Sequence, residues 1–324
     1  MNKYTKQVCE FWVKNNSRHV TVDKTRISLL RKKLRDAKPK VPDWQMPDIL
    51  PQNPAAFISH NFFINTVNFA FTHFEPPYDK YALNKDIVGA LASSACFYRR
   101  FGEKPINPDE ILDITSSLKK TKKFFQGINL PPLIEERRLR LRIAAGALKV
   151  AFDGRVENIL KAAKFNVNIL MEYMMVFFSY SYGSDYYKIP GIEEGLRSNS
   201  LFLNKRIQLW MLIHQGRAIH SQGKLPLLKY AEDIGPVADY QVPRYLYATG
   251  VLKYSPSLLE KIERREIIPY GCPEEIEIRC ATIFAVCELL KKTKLTMMEI
   301  DYFLWAEGRK IQTVNHHLTP TTAY

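Results

Sequence analysis

A chain of 324 residues, 46% hydrophobic and 12% aromatic, can bury a substantial core as one large domain or two medium ones. A formal net charge of +14 fits an anionic partner, whether phosphate, nucleic acid or an acidic surface, and equally a merely soluble basic face. The five cysteines (Cys9, Cys96, Cys272, Cys280, Cys287) are odd in number and form no CxxC, so reduced thiols in an intracellular compartment are expected, not a disulfide framework or a thiolate metal site.

In chain order, residues 4–13 put Val8, Phe11 and Trp12 on one face of a short amphipathic helix. The opening stretch lacks the continuous apolar core of a signal peptide. Val22-Asp23 starts a second helix with Ile27, Leu29, Leu30 and Leu34 apolar, and the proline-rich residues 38–54 wrap as a loop. Residues 57–74 are the most aromatic stretch; Glu75-Pro-Pro-Tyr78 ends it, placing Asn68–Phe71 close to a turn. Residues 86–100 and 108–125 have helical spacing. The second carries Asp109-Glu110 at its start and lysines at its end, matching the helix dipole.

Pro132 opens a long helix to residue 152, on which Arg137, Arg138, Arg140 and Arg142 read as a solvated charge stripe. Residues 156–180 are apolar and helical. Their most lipid-like part, residues 167–178, is too short for a membrane span and contains Glu172. A polar loop is expected over 180–199 and a helix over 203–220. Near the end, Ser255-Pro256 caps a helix, Pro273 with Glu274 and Glu275 starts another, and Thr296 with Glu299 forms a capping box backed by Leu295 and Ile300. Strand signals are confined to about residues 78–87. No repeat or linker is visible, so one mainly helical domain over residues 1–324 is expected. No metal site is legible: His316-His317 diverge on any regular element, and Cys280 and Cys287 read as packed thiols.

The segment that organises the chain is Ala238-Asp-Tyr-Gln-Val-Pro-Arg244. Pro243 suits a first helical turn, which leaves Asp239 either a helix cap or a reactive carboxylate. Asp239-Tyr240 with Pro243, Leu252-Lys-Tyr-Ser255, Tyr270-Gly271, Glu274–Arg279 and Ile300-Asp-Tyr-Phe-Leu-Trp305 follow in order. Upstream stand Asn68–Phe71, Pro132–Arg137 and Lys205-Arg-Ile-Gln208. Together these strings resemble the queuosine salvage protein family, the queuosine 5′-phosphate N-glycosylases, over most of the chain.

The resemblance implies a helical architecture related to that of DNA glycosylases and release of queuine from queuosine 5′-monophosphate, with no cofactor. It implies that Asp239 is the carboxylate serving the ribosyl oxocarbenium centre, by charge stabilisation, water activation or covalent attack. The leaving 7-deazaguanine has carbon where guanine has N7, so help must reach other ring edges; Asp301 and Glu277 are the polar groups expected there. Trp305, Tyr240 and Phe69 are expected as stacking walls, beside Asn68.

The phosphate is assigned to Lys205, with Arg206 in a structural ion pair. Arg279 either reaches the ligand or pairs with Glu275. The chain departs from the family pattern at Asn65, Thr72, Ile213 and Ala306, and Gln241 and Arg244 look exchanged. If the backbone there is helical, Gln241 and Arg244 share a face and the cation is preserved. These departures bear on base recognition more than on cleavage, because Asp239 is kept. The other class of function open to the sequence is a non-catalytic basic helical module binding tRNA or DNA. A cytoplasmic location follows from the thiols and the missing export signal.

Overall fold

The computed structural model describes residues 1–189 and 200–324. Helices dominate it, as the sequence predicts. Helix α1 (Lys3–Lys14) leads through strand β1 (Val20–Val22) into α2 (Lys24–Ala37), and a wrapping loop runs to α3 (Pro54–Thr66). An irregular stretch carries the chain to α4 (Ala90–Phe101); α5 (Pro108–Ile114), α6 (Leu118–Phe125), α7 (Ile134–Phe152), α8 (Val156–Ala162) and α9 (Val167–Phe177) follow. Strands β2 (Tyr186–Lys188) and β3 (Ser200–Phe202) precede α10 (Lys205–Ile219) and a 3₁₀ turn at Ala231–Asp233. Last come α11 (Gln241–Ala248), β4 (Leu252–Tyr254), α12 (Pro256–Glu263), α13 (Pro273–Leu290) and α14 (Met297–Lys310). Of the loop expected at 180–199, residues 190–199 lie outside the described residues.

Local capping explains most of these boundaries. Asp23 accepts from the N–H groups of Thr25 and Arg26, Asn53 from Ala55 and Ala56, and Thr296 with Glu299 forms the expected capping box. The helix expected over 108–125 is two helices, because Ser117 caps α6 by accepting from Lys120 N–H. The one expected over 156–180 is also two, broken where Lys164 and Phe165 take positive φ, 52° and 56°. Around residues 78–87 the described structure has only isolated bridges, Thr72 with Lys80 and Ala82 with Val88. The strands lie elsewhere: β1 pairs antiparallel with β4, Val20 facing Tyr254, and β2 pairs with β3. These strands are three residues long, too short to show an alternating pattern.

The core runs through α3, α10 and α13, whose side chains are buried nearly all round. The arginine stripe on α7 is solvated only in part: Arg142 is exposed and Arg138 half-buried, but the other two are not. Arg137 is fully buried, its guanidinium donating to the carbonyls of Pro132, Val67, Phe69 and Ala70, and Arg140 is buried as well. Arg137 thus fastens the turn after α3. Helix α11 packs along α14, and Gly308 permits the approach: a Cβ there would stand 2.4 Å from the Gln241 carbonyl oxygen. Among the described residues no helix is long and apolar enough to cross a membrane.

Candidate active site

The chain enters α11 through Val237, Ala238 and Asp239, all buried. Asp239 is the functional cap of this helix: its Oδ1 accepts from Gln241 N–H at 2.7 Å and Val242 N–H at 2.9 Å. No donor among the described residues reaches Oδ2. The same carboxylate lines two adjoining cavities. Capping uses one oxygen and leaves the other for a ligand, so the two roles left open by the sequence coexist geometrically.

The first chamber is a narrow, partly open cleft with about 70 Å³ of free volume, tighter than the usual small-molecule site. Trp44, Leu50, Ile64, Leu209, Tyr302 and Trp305 give it an apolar wall, and Asp301 is its second carboxylate. Asp301 stands on α14 and, among the described residues, accepts only from Val237 N–H, at 3.2 Å. Burial, and then the neighbouring charge of Asp239, push Asp301 up to about 8. Burial also raises Asp239, but Lys205, the two N–H bonds and Arg279 oppose the shift. Both acids are raised, but Asp239 has cationic and N–H support that opposes its burial, whereas Asp301, at about 8, is the neutral acid at neutral pH.

Lys205 opens α10 and lies between the chambers. Its Nζ donates to the Asn68 carbonyl at 3.0 Å and to Asn68 Oδ1 at 2.9 Å. Burial lowers it to about 8, while the charge of Asp239 works the other way. The second chamber adds Phe69, Lys80, Gly89, Tyr240, Gln241 and Arg309. Of the three aromatic walls expected, Trp305 borders both chambers, whereas Phe69 and Tyr240 border only the second.

Three residues expected at the ligand are placed elsewhere. Glu277 lines neither chamber; its carboxylate accepts from the N–H groups of Arg18, His19 and Val20, holding the entry to β1. Arg279 is fully buried, paired with both oxygens of Asp185 at 2.6 and 2.8 Å and, more loosely, with Glu275 at 3.7 Å. Its Nε donates to the Ala238 carbonyl, bracing the residue before Asp239. Arg244 donates to the Val314 carbonyl and also lines neither chamber. Helical geometry does not let it replace position 241, whose side chain is Gln241 in the second chamber. Arg206 is buried and bonded to the carbonyls of Thr66 and Ser181, with no carboxylate partner among the described residues, so the expected ion pair is not formed. Of the family departures, Ile213 lines the first chamber and Thr72 meets His316.

Asp185, Trp44, Lys80 and Arg309 were not foreseen. Asp185 sits in a polar loop and accepts from Lys205 N–H at 2.8 Å, tying α10 to Arg279. Trp44 and Lys80 are single residues in loops with no local signal. Arg309 has one: it lies one turn after Trp305, on the face that Asp301 and Trp305 already mark.

The family model described as queuosine salvage protein matches residues 49–324. A Sphaerobacter thermophilus protein, a queuosine 5′-phosphate N-glycosylase/hydrolase, is 32% identical over 211 residues, covering 62% of this chain and 61% of that relative, less than two thirds of its length. Relatives of the same description from Dictyostelium discoideum and Nematostella vectensis are 28% and 23% identical. They cover 81% and 87% of this chain, and 76% and 86% of their own lengths.

Proposed function

The chain belongs to the queuosine salvage protein family, and from that premise we propose that it hydrolyses the N-glycosidic bond of queuosine 5′-phosphate, releasing queuine and ribose 5-phosphate. The observation that carries this is a single carboxylate, Asp239, at the junction of an apolar chamber and a cationic one. The base lies in the first chamber against Trp305 and Tyr302, and the ribose crosses Asp239. As the C1′–N bond lengthens, positive charge grows on the sugar, and the free Oδ2 of Asp239 stabilises it. Water supplies the hydroxyl that C1′ gains, and its proton balances the one taken by the departing ring. Asp301, neutral at pH 7, donates to an edge of that ring. Lys205 holds Asn68, and its charge opposes the burial that raises Asp239.

Under this proposal residues 1–324 act as one domain, since α1 packs on α13. The five thiols are free, in keeping with work in the cytoplasm.

The test is chromatography of free base after incubation with queuosine 5′-phosphate, wild type against Asp239→Asn. The substitution keeps the shape and should lower turnover about a thousandfold; undiminished turnover would overturn the assignment. If wild type releases no base yet shifts tRNA in a salt-dependent gel assay, the net charge of +14 serves nucleic-acid binding without chemistry.

A further inference from the structure

We propose that Cys9 and Cys287 form a thiol pair that a hydroperoxide converts into a disulfide joining α1 to α13, a modification site outside the cleft and independent of the hydrolase reading above. Neither residue lines either chamber. The register of the two helices brings them together. Trp12 on α1 meets Phe284 on α13, ring centroids 6.4 Å apart. Past the end of α1, the N–H groups of Arg18 and His19 donate to the Glu277 carboxylate, two turns earlier on α13. The helices therefore run antiparallel, and Cys9, one turn before Trp12, stands opposite Cys287, one turn after Phe284. Both pack in one small apolar cluster with Val8 and Ile283, and the Cys287 thiol donates to Cys9.

The five thiols are not equivalent. Burial raises Cys96, Cys272 and Cys280. Cys287, which supplies the hydrogen of the pair, is raised by that bond and then by burial. Cys9 alone among the five is lowered. The bond from Cys287 is the main cause, and Lys291 adds its charge, against burial and the charges of Glu288 and Glu10. Cys9 is also only half-buried, so a small oxidant reaches the one thiol with thiolate character. Cys272 is equally half-buried, but its neighbour Glu274 opposes a thiolate. An accessible, acidified cysteine with a second thiol against it is the arrangement in which oxidation resolves as a disulfide.

In the first step the Cys9 sulfur attacks one oxygen of the hydroperoxide and the O–O bond breaks. Cys9 becomes a sulfenic acid, and the other oxygen leaves with a proton as water or an alcohol. In the second step the Cys287 sulfur attacks the Cys9 sulfur and the S–S bond forms. The sulfenic hydroxyl leaves with the Cys287 proton as water. The two thiols lose two electrons and the peroxide gains them. The link joins two supports of the segment that leads to Asp239. One is Asn2, which caps α1 and donates to the Asp233 carbonyl at 2.8 Å; the other is Arg279 on α13, which donates to the Ala238 carbonyl.

The test is to treat the reduced, folded chain with stoichiometric hydrogen peroxide and to map its peptides by mass spectrometry without reductant. Two of the five thiols should disappear, the peptides bearing Cys9 and Cys287 should be joined, and dithiothreitol should restore both thiols. Cys9 should react about tenfold faster than Cys272. Cys96→Ser should behave as wild type, and Cys9→Ser should keep its remaining thiols. In Cys287→Ser the Cys9 sulfenic acid should persist and be trapped by dimedone; where that variant does not fold, the wild-type map decides alone. Wild type that keeps all five thiols, is oxidised first at Cys272, links Cys9 to a second chain, or oxidises Cys9 without joining it to Cys287 overturns the proposal. None of these readouts needs turnover, so failure of the hydrolase reading leaves the outcome interpretable.

Discussion

Two sets of charges lie in or behind the walls of the cleft, and they are organised in opposite ways. Arg279, Asp185 and Glu275 are almost wholly buried, and Arg279 uses both oxygens of Asp185 and the Ala238 carbonyl. Across the cleft, Lys80, Arg244, Arg265 and Arg309 are all cations, facing one another. A matched set has no capacity left for a ligand and serves to fix geometry; here it braces Asp239 on one side and the start of α10, through Lys205 N–H, on the other. An unmatched set stores repulsion that an anion can relieve. Residue type does not separate the two, since arginine is in both. Partnership does.

The largest expected effect comes from unbalancing the matched set. Asp185→Ala leaves the buried Arg279 charge facing, among the described residues, only the loosely placed carboxylate of Glu275 and should cost about 3–5 kcal/mol, read as a lower midpoint in denaturant. The matching loss from the cationic set is different in kind. Lys80→Met should leave the midpoint within about 0.5 kcal/mol. A stability loss as large as that of Asp185→Ala would erase the distinction.

Next in size is Gly308→Ala. The new methyl meets the Gln241 carbonyl, so α11 and α14 must separate, at about 1–3 kcal/mol, and Asp239 moves away from Asp301. Turnover should fall more than the midpoint alone explains; unchanged turnover would show that the spacing of the two carboxylates is unimportant.

Asp301 sharpens the contrast through pH. Its folded-state pKa is raised from 3.8 to about 8 by burial and by Asp239. Between those values the folded protein keeps a proton that the unfolded chain has lost. The stability due to the neutral form is complete below about pH 4 and is lost as pH rises through about 8. Thermal midpoints of wild type should decline over that window more steeply than those of Asp301→Asn, and the alkaline limb of turnover near pH 8 should vanish in the variant. Parallel pH curves for the two proteins would remove Asp301 as the neutral acid. The smallest effect belongs to Glu277→Gln, about 1 kcal/mol from weaker hold on the N–H groups of residues 18–20, with kcat and KM unchanged.

Much of the fold was legible because helix ends are local affairs. Asp23, Asn53, Ser255, Pro273 and the Thr296–Glu299 box each act within three residues of themselves. The same locality exposed Asp239, whose capping bonds run to residues 241 and 242. The split of residues 108–125 escaped notice because apolar spacing continues across Ser117, and Arg137 escaped because its four carbonyl acceptors come from the turn after α3 and from Pro132.

By itself, then, the sequence determined the mainly helical class, the order of most helices and the carboxylate before α11, since all of these follow from interactions between near neighbours along the chain. Which charged side chains face the cleft was decided only by tertiary structure. Glu277, Arg279, Lys80 and Arg309 look equally available as residues, and the first two are taken chiefly by the N–H groups of residues 18–20 and by Asp185, 94 or more positions away, while the last two line the second chamber. A charge becomes a brace or a ligand-binding group according to whether folding brings it an opposite partner, and that depends on contacts no local pattern records.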